Sequence, residues 1–274
     1  MRSLLLLAAL CTLIAAPVGA EPGRLLVQST TSTANSGLYD HLLPLFEDAT
    51  GLDVRVVAVG TGQAIRNAMN GDGDVLLVHA KAAEERFVAE GHGVARHDLM
   101  YNDFILVGPG DDPAKVGGGT DITAALTAIR AGEAIFASRG DDSGTHKKET
   151  ALWAEAGGPP AADLGWYRET GAGMGATLNI AVAMGAYTLT DRATWISFGN
   201  KGAHAVLVEG DPRLFNQYGV IAVNPDRHPG VNAADAEIFV AWLLSEAGQN
   251  AIAAFRIDGQ QVFTPNANPS RWSD

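Results

Sequence analysis

Cysteine is almost absent from this chain of 274 residues, in which Cys11 is the single example. It lies in an N-terminal apolar stretch that we expect to be removed on export, which would leave a mature protein without thiol chemistry. Beyond that stretch, no run of apolar residues is long enough to cross a membrane as a helix. These two shortages argue against a thiol enzyme and against a membrane-spanning helix beyond the N-terminal stretch.

Positive charge is also scarce, because 19 lysines and arginines face 31 aspartates and glutamates and the formal net charge is -12. Such a balance argues against nucleic acids and anionic membrane surfaces as partners. Hydrophobic residues make up 47% of the chain and charged residues 18%, so we expect substantial buried cores. The length suits one large domain or two of ordinary size.

The N-terminus has the features of a signal peptide. Arg2 supplies the positive charge, residues 4–16 form an apolar segment too short to span a bilayer, and residues 18–20 form a small-residue cleavage site. We therefore expect residues 1–20 to be removed and the mature chain to begin at Glu21, in the periplasm. We do not expect a lipid on Cys11, because the residue before it is not small.

Short apolar runs alternate with segments of helical periodicity along most of the chain. This alternation predicts an α/β fold in which a parallel sheet is covered by helices on both faces. Strands are predicted at residues 25–27, 54–59, 75–78, 101–108, 134–137, 206–209 and 218–223. Helices are predicted at residues 38–50, 63–70, 82–90, 121–131, 145–156, 178–184, 233–245 and 247–255.

The stretch from Ser138 to Glu149 reads as a turn between a buried strand and a helix. It combines hydroxyl side chains with two glycines, which let a ligand approach the backbone, and with the forked cation of Arg139. The free N–H groups at the start of a helix bind anions. The alternative is an ordinary helix start, capped by Asp142 or Ser143, with Arg139 in a salt bridge to a neighbouring aspartate.

Four such turns, rich in hydroxyls and glycine, lie at strand ends or helix starts: 29–36, 60–62, 138–145 and 173–177. Ligands of open α/β sheets bind outside the carboxyl ends of the strands. Two turns on each side of a cleft could surround a small tetrahedral anion. Because the whole chain is negative, local N–H groups, hydroxyls and Arg139 would have to provide the attraction.

Several segments resemble the tungstate-binding proteins of bacterial ABC importers, and they occur in the same order over nearly the whole mature chain. The run from Arg139 to Glu149 is the most specific of them, whereas Gly60-Thr61-Gly62 alone would be weak. The other segments are Ser29 to Leu38, Asp74 to Ala80, Tyr101 to Phe104, Gly173 to Gly175, Tyr187 to Arg192 and Val208 to Arg213. The family's first turn usually begins with threonine where this chain has Ser29.

The resemblance implies a two-lobed periplasmic binding protein of type II-like architecture, in which each lobe is a sheet flanked by helices and the ligand lies in the cleft. Lobe one would comprise residues 21–104 and 218–274, and lobe two residues 105–217. It also implies a monomeric receptor that prefers tungstate, with molybdate as the next ligand. This receptor delivers the oxyanion to an ABC permease with its cytoplasmic ATPase. No cofactor, metal cation or catalytic activity is expected.

The predicted ligand-binding residues come from the four turns. Whether His79, Asp141 and Tyr187 also reach the ligand is left open by the sequence. The predicted set is Thr31, Ser32, Thr61, Arg139, Ser143, Gly144, Thr145, Met174, Gly175 and Thr177.

Two alternatives remain. Phosphate receptors carry a related turn in which an aspartate accepts the proton of hydrogen phosphate, and Asp141 could play that part. Tungstate carries no proton at neutral pH, so the direction of Asp141 discriminates between the two anions. A serine hydrolase using Ser143 and His146 is the distant alternative, but the chain has no Gly-x-Ser-x-Gly elbow.

Overall fold

The structure is a computed structural model that describes residues 24–161 and 164–267. The expected signal peptide, residues 1–20, lies outside the described residues. The strands are β1 (Leu25–Thr30), β2 (Val54–Val59), β3 (Val75–Val78), β4 (Gly93–Pro109), β5 (Phe136–Ser138), β6 (Tyr167–Glu169), β7 (Thr188–Asp191), β8 (His204–Val208), β9 (Phe215–Val223), β10 (Arg256–Ile257), β11 (Gln260–Gln261) and β12 (Thr264–Pro265).

The helices are α1 (Thr31–Asn35), α2 (Leu38–Thr50), α3 (Thr61–Met69), α4 (Lys81–Ala89), α5 (Ile122–Ala131), α6 (Gly144–Glu155), α7 (Met174–Met184), α8 (Arg192–Ser197), α9 (Ala233–Leu244) and α10 (Glu246–Ala254), with a 3-10 helix at Pro212–Leu214. The sequence placed the starts of α3 and α7 too late, because their first turns contain glycine. Glycine is tolerated there, since the N–H groups of the first turn make no bond within the helix.

The larger sheet has the strand order β12-β4-β9-β3-β1-β2. β1 is parallel to β2 and β3, whereas β9 is antiparallel to both β3 and β4. The prediction of a parallel sheet was therefore wrong for three of the five strand pairings in this order, since β12 is also antiparallel to β4. The reason is topological: the chain leaves this sheet along β4 and returns along β9, so these neighbours run in opposite directions.

β4 belongs to two sheets. Its first part pairs with β9, and its last residues pair antiparallel with β7 and β8. Its 17 residues extend roughly 55 Å at about 3.3 Å per residue, which is long for a strand. The sequence predicted only residues 101–108, because the first half is amphipathic and the second half is continuously apolar.

Alternate residues of each strand pack on opposite faces, which places helices on both sides of each sheet. Along β4, Phe104 and Leu106 join one apolar cluster, while Ile105 and Val107 join another. Along β3, the odd-numbered residues pack towards α2, α9 and α10, and the even-numbered residues towards α3 and α4. Burying one such side chain contributes about 1.5–3 kcal/mol.

The two main apolar cores divide the described chain into two lobes. One core takes its residues from 25–100 and 218–263, with Ala193 of α8 as the exception. The other takes its residues from 104–214. The chain passes from one core to the other along β4, between Met100 and Phe104, and returns at the start of β9. The exact lobe borders stay a prediction.

Candidate anion-binding site

A small cavity of about 180 Å³ lies where the two lobes meet. Part of this space is open to solvent, so the enclosed part is narrow and leaves room for no more than a small ion. Its lining comes from the starts of α1, α3 and α6 and from the ends of β2, β3 and β5. The lining residues are Thr30, Thr31, Ser32, Val59, Gly60, Thr61, His79, Arg139, Ser143, Gly144 and Thr145.

Strand direction explains how residues so far apart in sequence meet here. β1, β2 and β3 are parallel, so their carboxyl ends lie at one edge of the sheet. The hydroxyl of Thr30 caps α1 by accepting from the N–H of Thr33 at 3.3 Å. The hydroxyl of Ser143 caps α6 by accepting from the N–H of His146 at 3.1 Å. The remaining first-turn N–H groups of both helices are oriented towards the helix starts.

The first-lobe wall is neutral and is held by a chain of hydrogen bonds that leads to the crossing strands. Asn216 of β9 donates to the side-chain oxygen of Asn102 on β4 at 2.7 Å. Its own Oδ1 therefore faces His79 and accepts from Nδ1 at 3.1 Å. The other imidazole nitrogen, Nε2, lies 3.2 Å from the hydroxyl of Ser32 and accepts from it.

His79 is uncharged in this setting. Burial lowers its pKa to about 4, and the nearby Arg139 acts in the same direction. Its ring stacks on Tyr218 with the centroids 4.8 Å apart. Because Ser32 donates its hydroxyl proton to the imidazole, the backbone N–H of Ser32 is the donor that it can offer to an anion.

The second-lobe wall carries the charge. Arg139 is 3% exposed, and among the described residues it is the single cation in the lining. Its Nε donates to the carbonyl of Ala172 at 3.3 Å, and one terminal nitrogen pairs with Oδ2 of Asp141. Oδ1 of Asp141 accepts from the N–H of Ser143 at 3.2 Å. Asp141 is therefore turned towards Arg139 and its own helix start, and it does not line the cavity.

Thr145 carries a buried hydroxyl that has no partner among the described residues, which suggests that a ligand binds there. Its side chain is 1% exposed, and its Oγ1 has no hydrogen-bond partner in the described part of the chain. A buried hydroxyl without a partner costs about 1–3 kcal/mol. Since Thr145 lines the cavity, a bound oxyanion could accept from this group.

The two walls touch at the start of α6. The N–H of Gly144 donates to Oγ1 of Thr61 at 3.0 Å, so a second-lobe backbone group bonds a first-lobe side chain. A Cβ atom at Gly144 would lie 3.0 Å from both Oγ1 of Thr61 and Cε1 of His79. Only glycine lets the lobes approach this closely. Because Thr61 accepts from Gly144, its own hydroxyl proton is free to be donated.

Seven of the ten predicted ligand residues line this cavity, and three do not. The Met174 side chain packs in the apolar cluster with Ile105, and the Thr177 hydroxyl lies 2.8 Å from that of Thr170 and 3.2 Å from the carbonyl of Ala172. Gly175 lies between them in the first turn of α7. The turn before α7 reaches the site through the Ala172 carbonyl, which holds Arg139.

The residues that the sequence left open are also placed. His79 lines the cavity, and a histidine at the carboxyl end of a strand was the signal for it. Tyr187 lies elsewhere, where its hydroxyl donates to Asp112 at 2.7 Å and accepts from the N–H of Ala114 at 2.9 Å. The sequence analysis did not identify Asn102 and Asn216 as site residues. The feature that could have indicated them is an amide side chain within an otherwise buried strand.

A family model described as a PBP superfamily domain matches residues 16–247. The chain belongs to the PBP superfamily. It is 51% identical over 249 residues to a tungstate-binding protein, TupA, of Peptoclostridium acidaminophilum, an alignment that covers 89% of this chain and 86% of that protein. The resemblance to tungstate-binding proteins of ABC importers that the motifs indicated is thereby confirmed.

Solved structures of similar proteins support the same family and the same fold. The tungstate-binding protein TupA from Desulfovibrio alaskensis G20 is 49% identical, with a TM-score of 0.79, and the match covers 89% of this chain and 99% of that one. The tungstate ABC transporter structure from Geobacter sulfurreducens is 44% identical, with a TM-score of 0.78 and coverages of 85% and 98%. The two-lobed periplasmic-binding-protein fold is therefore confirmed.

Within the described residues, no group of three or more histidines, cysteines, aspartates and glutamates could hold a metal ion. The same part of the chain contains no helix that is both long and apolar enough to span a bilayer.

Proposed function

We propose that this protein is a periplasmic receptor that binds tungstate most tightly and molybdate nearly as tightly. It delivers the oxyanion to an ABC permease with its cytoplasmic ATPase. Relatives that carry the tungstate-binding name match nearly the full chain, which supports the proposal. The site offers hydroxyls, helix-start N–H groups and one buried arginine, a donor set suited to a small anion.

The observation that carries the proposal is the absence of a carboxylate from the cavity lining, as far as the described residues go. Hydrogen phosphate brings a proton and needs an acceptor for it, whereas tungstate brings none. Both carboxylate oxygens of Asp141 are engaged, one by Arg139 and the other by the N–H of Ser143. The imidazole of His79 is engaged as an acceptor by Ser32. Phosphate therefore finds neither a free carboxylate nor a free imidazole in the described lining to accept its proton.

In this proposal each wall has its own part. Arg139 supplies the charge, and Thr145 and Thr61 donate hydroxyl protons. Ser32 and Thr31 offer N–H groups at the start of α1, and Ser143 holds the start of α6 in place. Because several elements fix these donors, the site has a set diameter. Sulfate is smaller and cannot reach all the donors together, and each unpaired buried donor costs about 1–3 kcal/mol.

The test is calorimetric titration of the purified ligand-free protein with tungstate, molybdate, phosphate and sulfate at neutral pH. We expect tungstate and molybdate to bind far more tightly than the other two. Displacement of tungstate by phosphate at comparable concentration would contradict the proposal and would identify a phosphate receptor.

We also propose that the protein is a monomer without catalytic activity. The arrangement nearest to a catalytic triad is Ser32, His79 and Asn216, but its third member is a neutral amide. The low pKa of His79, about 4, makes the imidazole a weak base. Ser143 is not paired with the His146 ring, because the Ser143 hydroxyl caps α6 and that ring accepts from the N–H of Asp142. Measurable turnover of a generic ester would overturn this part.

Export is the last element of the proposal. Its support is the charged, apolar and small-residue pattern of residues 1–20. N-terminal sequencing of the protein purified from the periplasm should give a chain that starts at Glu21. A chain that keeps residues 1–20 would contradict cleavage.

A further inference from the structure

A second and larger cleft lies between α4 and α6, beside the inner cavity. It has a volume of about 1070 Å³ and opens to solvent. The crossing strands form its floor, through Phe104 of β4 and residues 215–217 of β9. His79 and Gly144 line both this cleft and the inner cavity, so the two spaces adjoin at these residues.

All of the charged residues that line this cleft are cations. Lys81 and Arg86 come from α4 of the first lobe, and Lys147 and Lys148 come from α6 of the second. Among the described residues, no aspartate or glutamate joins them in the lining. This concentration of one sign is unusual in a chain whose formal net charge is -12.

The four cations are not equally free. Lys147 pairs with the Asp142 carboxylate, and Lys148 donates to the backbone carbonyls of Arg213 at 3.0 Å and Phe215 at 3.2 Å. Lys81 and Arg86 are exposed, and their side chains have no ion-pair partner in residues 24–161 and 164–267. No carboxylate in this part of the chain is within 4.0 Å of either charge, although the exposed Glu85 and Glu90 lie one turn away along the chain.

Arg139 cannot attract an anion from a distance as effectively. It is 3% exposed, and its charge is partly cancelled by the paired Asp141. A dianion in solution first meets the field of the whole protein, which repels it. A cleft lined by charges of one sign raises the local concentration of its counter-ion and speeds association.

We propose that the α4–α6 cleft is a vestibule that collects the oxyanion dianion next to the inner cavity, which it adjoins at His79 and Gly144. This inference rests on the proposed function of the inner site. Lys81 and Arg86 act on the association rate of the dianion, whereas the inner residues act on its dissociation rate.

The test is stopped-flow measurement of tungstate association and dissociation for the wild type and for Lys81→Gln/Arg86→Gln. The control is Arg55→Gln/Lys115→Gln, which removes the same charge from exposed positions outside both spaces. Arg55 lies near the start of β2, whereas the residue of β2 that lines the inner cavity is at the opposite end of the strand. Each protein is measured at an ionic strength of about 10 mM and of about 1 M, where the Debye lengths are about 30 Å and 3 Å.

At low ionic strength, we expect the vestibule variant to associate with tungstate at least about threefold more slowly than the control variant. Its dissociation rate should stay within about twofold of the wild type, and the difference in association should vanish at high salt. Equal slowing by both variants, an unchanged association rate, or an effect on dissociation alone would overturn the vestibule. A wild type that binds no tungstate would instead overturn the proposed function, and the vestibule with it.

Discussion

The two walls of the inner cavity are built on different principles. The first-lobe wall is neutral: the hydroxyl of Ser32, the uncharged imidazole of His79 and the amides of Asn216 and Asn102 form one chain of hydrogen bonds. The second-lobe wall carries Arg139, held on one side by Asp141 and on the other by the Ala172 carbonyl.

This difference indicates a division of labour between the lobes. In the proposed site, the second lobe supplies the charge of Arg139 and the unpartnered hydroxyl of Thr145, and we expect these two groups to set how strongly an anion binds. The first lobe supplies a neutral surface, tied to β4 and β9 by hydrogen bonds, which the second lobe contacts at Gly144. Substitutions in the two walls should therefore differ in their effect on affinity, and the following four predictions, in decreasing order of that effect, test the difference.

Arg139→Ala should weaken tungstate binding at least about tenfold. A hydrogen bond to a charged group contributes about 1.5–3 kcal/mol, and a tenfold change in affinity is about 1.4 kcal/mol. Calorimetric titration measures the affinity, and circular dichroism shows whether the fold is intact.

Arg139→Lys is the matched control, because it keeps the charge but loses the planar fork. We expect its affinity to lie between those of the wild type and the alanine variant. If Arg139→Ala bound tungstate with wild-type affinity, Arg139 would not contribute to the site. The two walls would then not differ in the charge that they offer to the anion.

Thr145→Val should weaken tungstate binding by about tenfold or slightly less, because it removes one donor to a charged ligand while keeping the side-chain shape. The ligand-free protein should not lose stability, since the hydroxyl has no partner in the described part of the chain. Titration and thermal unfolding of the same sample measure both effects.

Thr188→Val is the control for this variant. Its buried hydroxyl donates to the carbonyl of Ala137 at 2.7 Å and lies outside the cavity. We expect a loss of about 1 kcal/mol in stability and no change in affinity. The reverse pattern, in which Thr145→Val destabilises the fold and leaves affinity intact, would show that Thr145 is structural.

Gly144→Ala should weaken binding about threefold to tenfold by holding the walls apart. The added Cβ would lie 3.0 Å from Thr61 Oγ1 and from His79 Cε1, on the first-lobe wall. Gly199→Ala is the control, since nothing lies within 4 Å of the added atom and Gly199 is exposed. Equal affinities of the two variants, measured by titration, would mean that close contact of the lobes is not needed.

The smallest effect on affinity should come from pH. Because the pKa of His79 is lowered to about 4, the first-lobe wall stays neutral above pH 6. We expect the tungstate affinity to change less than about twofold between pH 8.5 and 6.5. A several-fold rise in affinity as the pH falls through this range would show that the histidine gains a proton and becomes a second cation.

The same histidine should make the stability of the protein depend on pH. Its folded pKa of about 4 lies below the unfolded value of 6.5, so the unfolded state binds more protons between these values. Its contribution to stability is therefore present above pH 6.5 and is lost as the pH falls, by about 2 kcal/mol between pH 7 and 5.

Comparison with His79→Gln isolates this contribution, because Glu84 and Glu149 act in the opposite direction in both proteins. Burial raises the pKa of each of these carboxyl groups to about 7, so their contribution to the stability of the folded protein increases as the pH falls. Thermal unfolding at several pH values should show the wild type losing its advantage over the variant below pH 6.5. Parallel curves would contradict a depressed pKa for His79.

Local patterns in the sequence were enough to predict most elements of the fold. The apolar runs of β1 and β3, the cap at Ser143 and the strand-to-helix turns are decided by neighbouring residues, so they can be read from short windows. The motifs identified the family for the same reason, since they are contiguous. The antiparallel placing of β9 was not predictable in this way, because strand pairing joins residues far apart in the chain.

Within the site, the sequence by itself determined the donors on each turn and the presence of Arg139. Only the tertiary structure decided which of them meet. The contact of Gly144 with Thr61 and the neutral state of His79 depend on how distant parts of the chain are placed against each other, whereas Asp141 is directed by Arg139 and Ser143 on its own turn. Burial and long-range hydrogen bonds set the Gly144 contact and the state of His79, and both are properties of the folded chain rather than of any short segment.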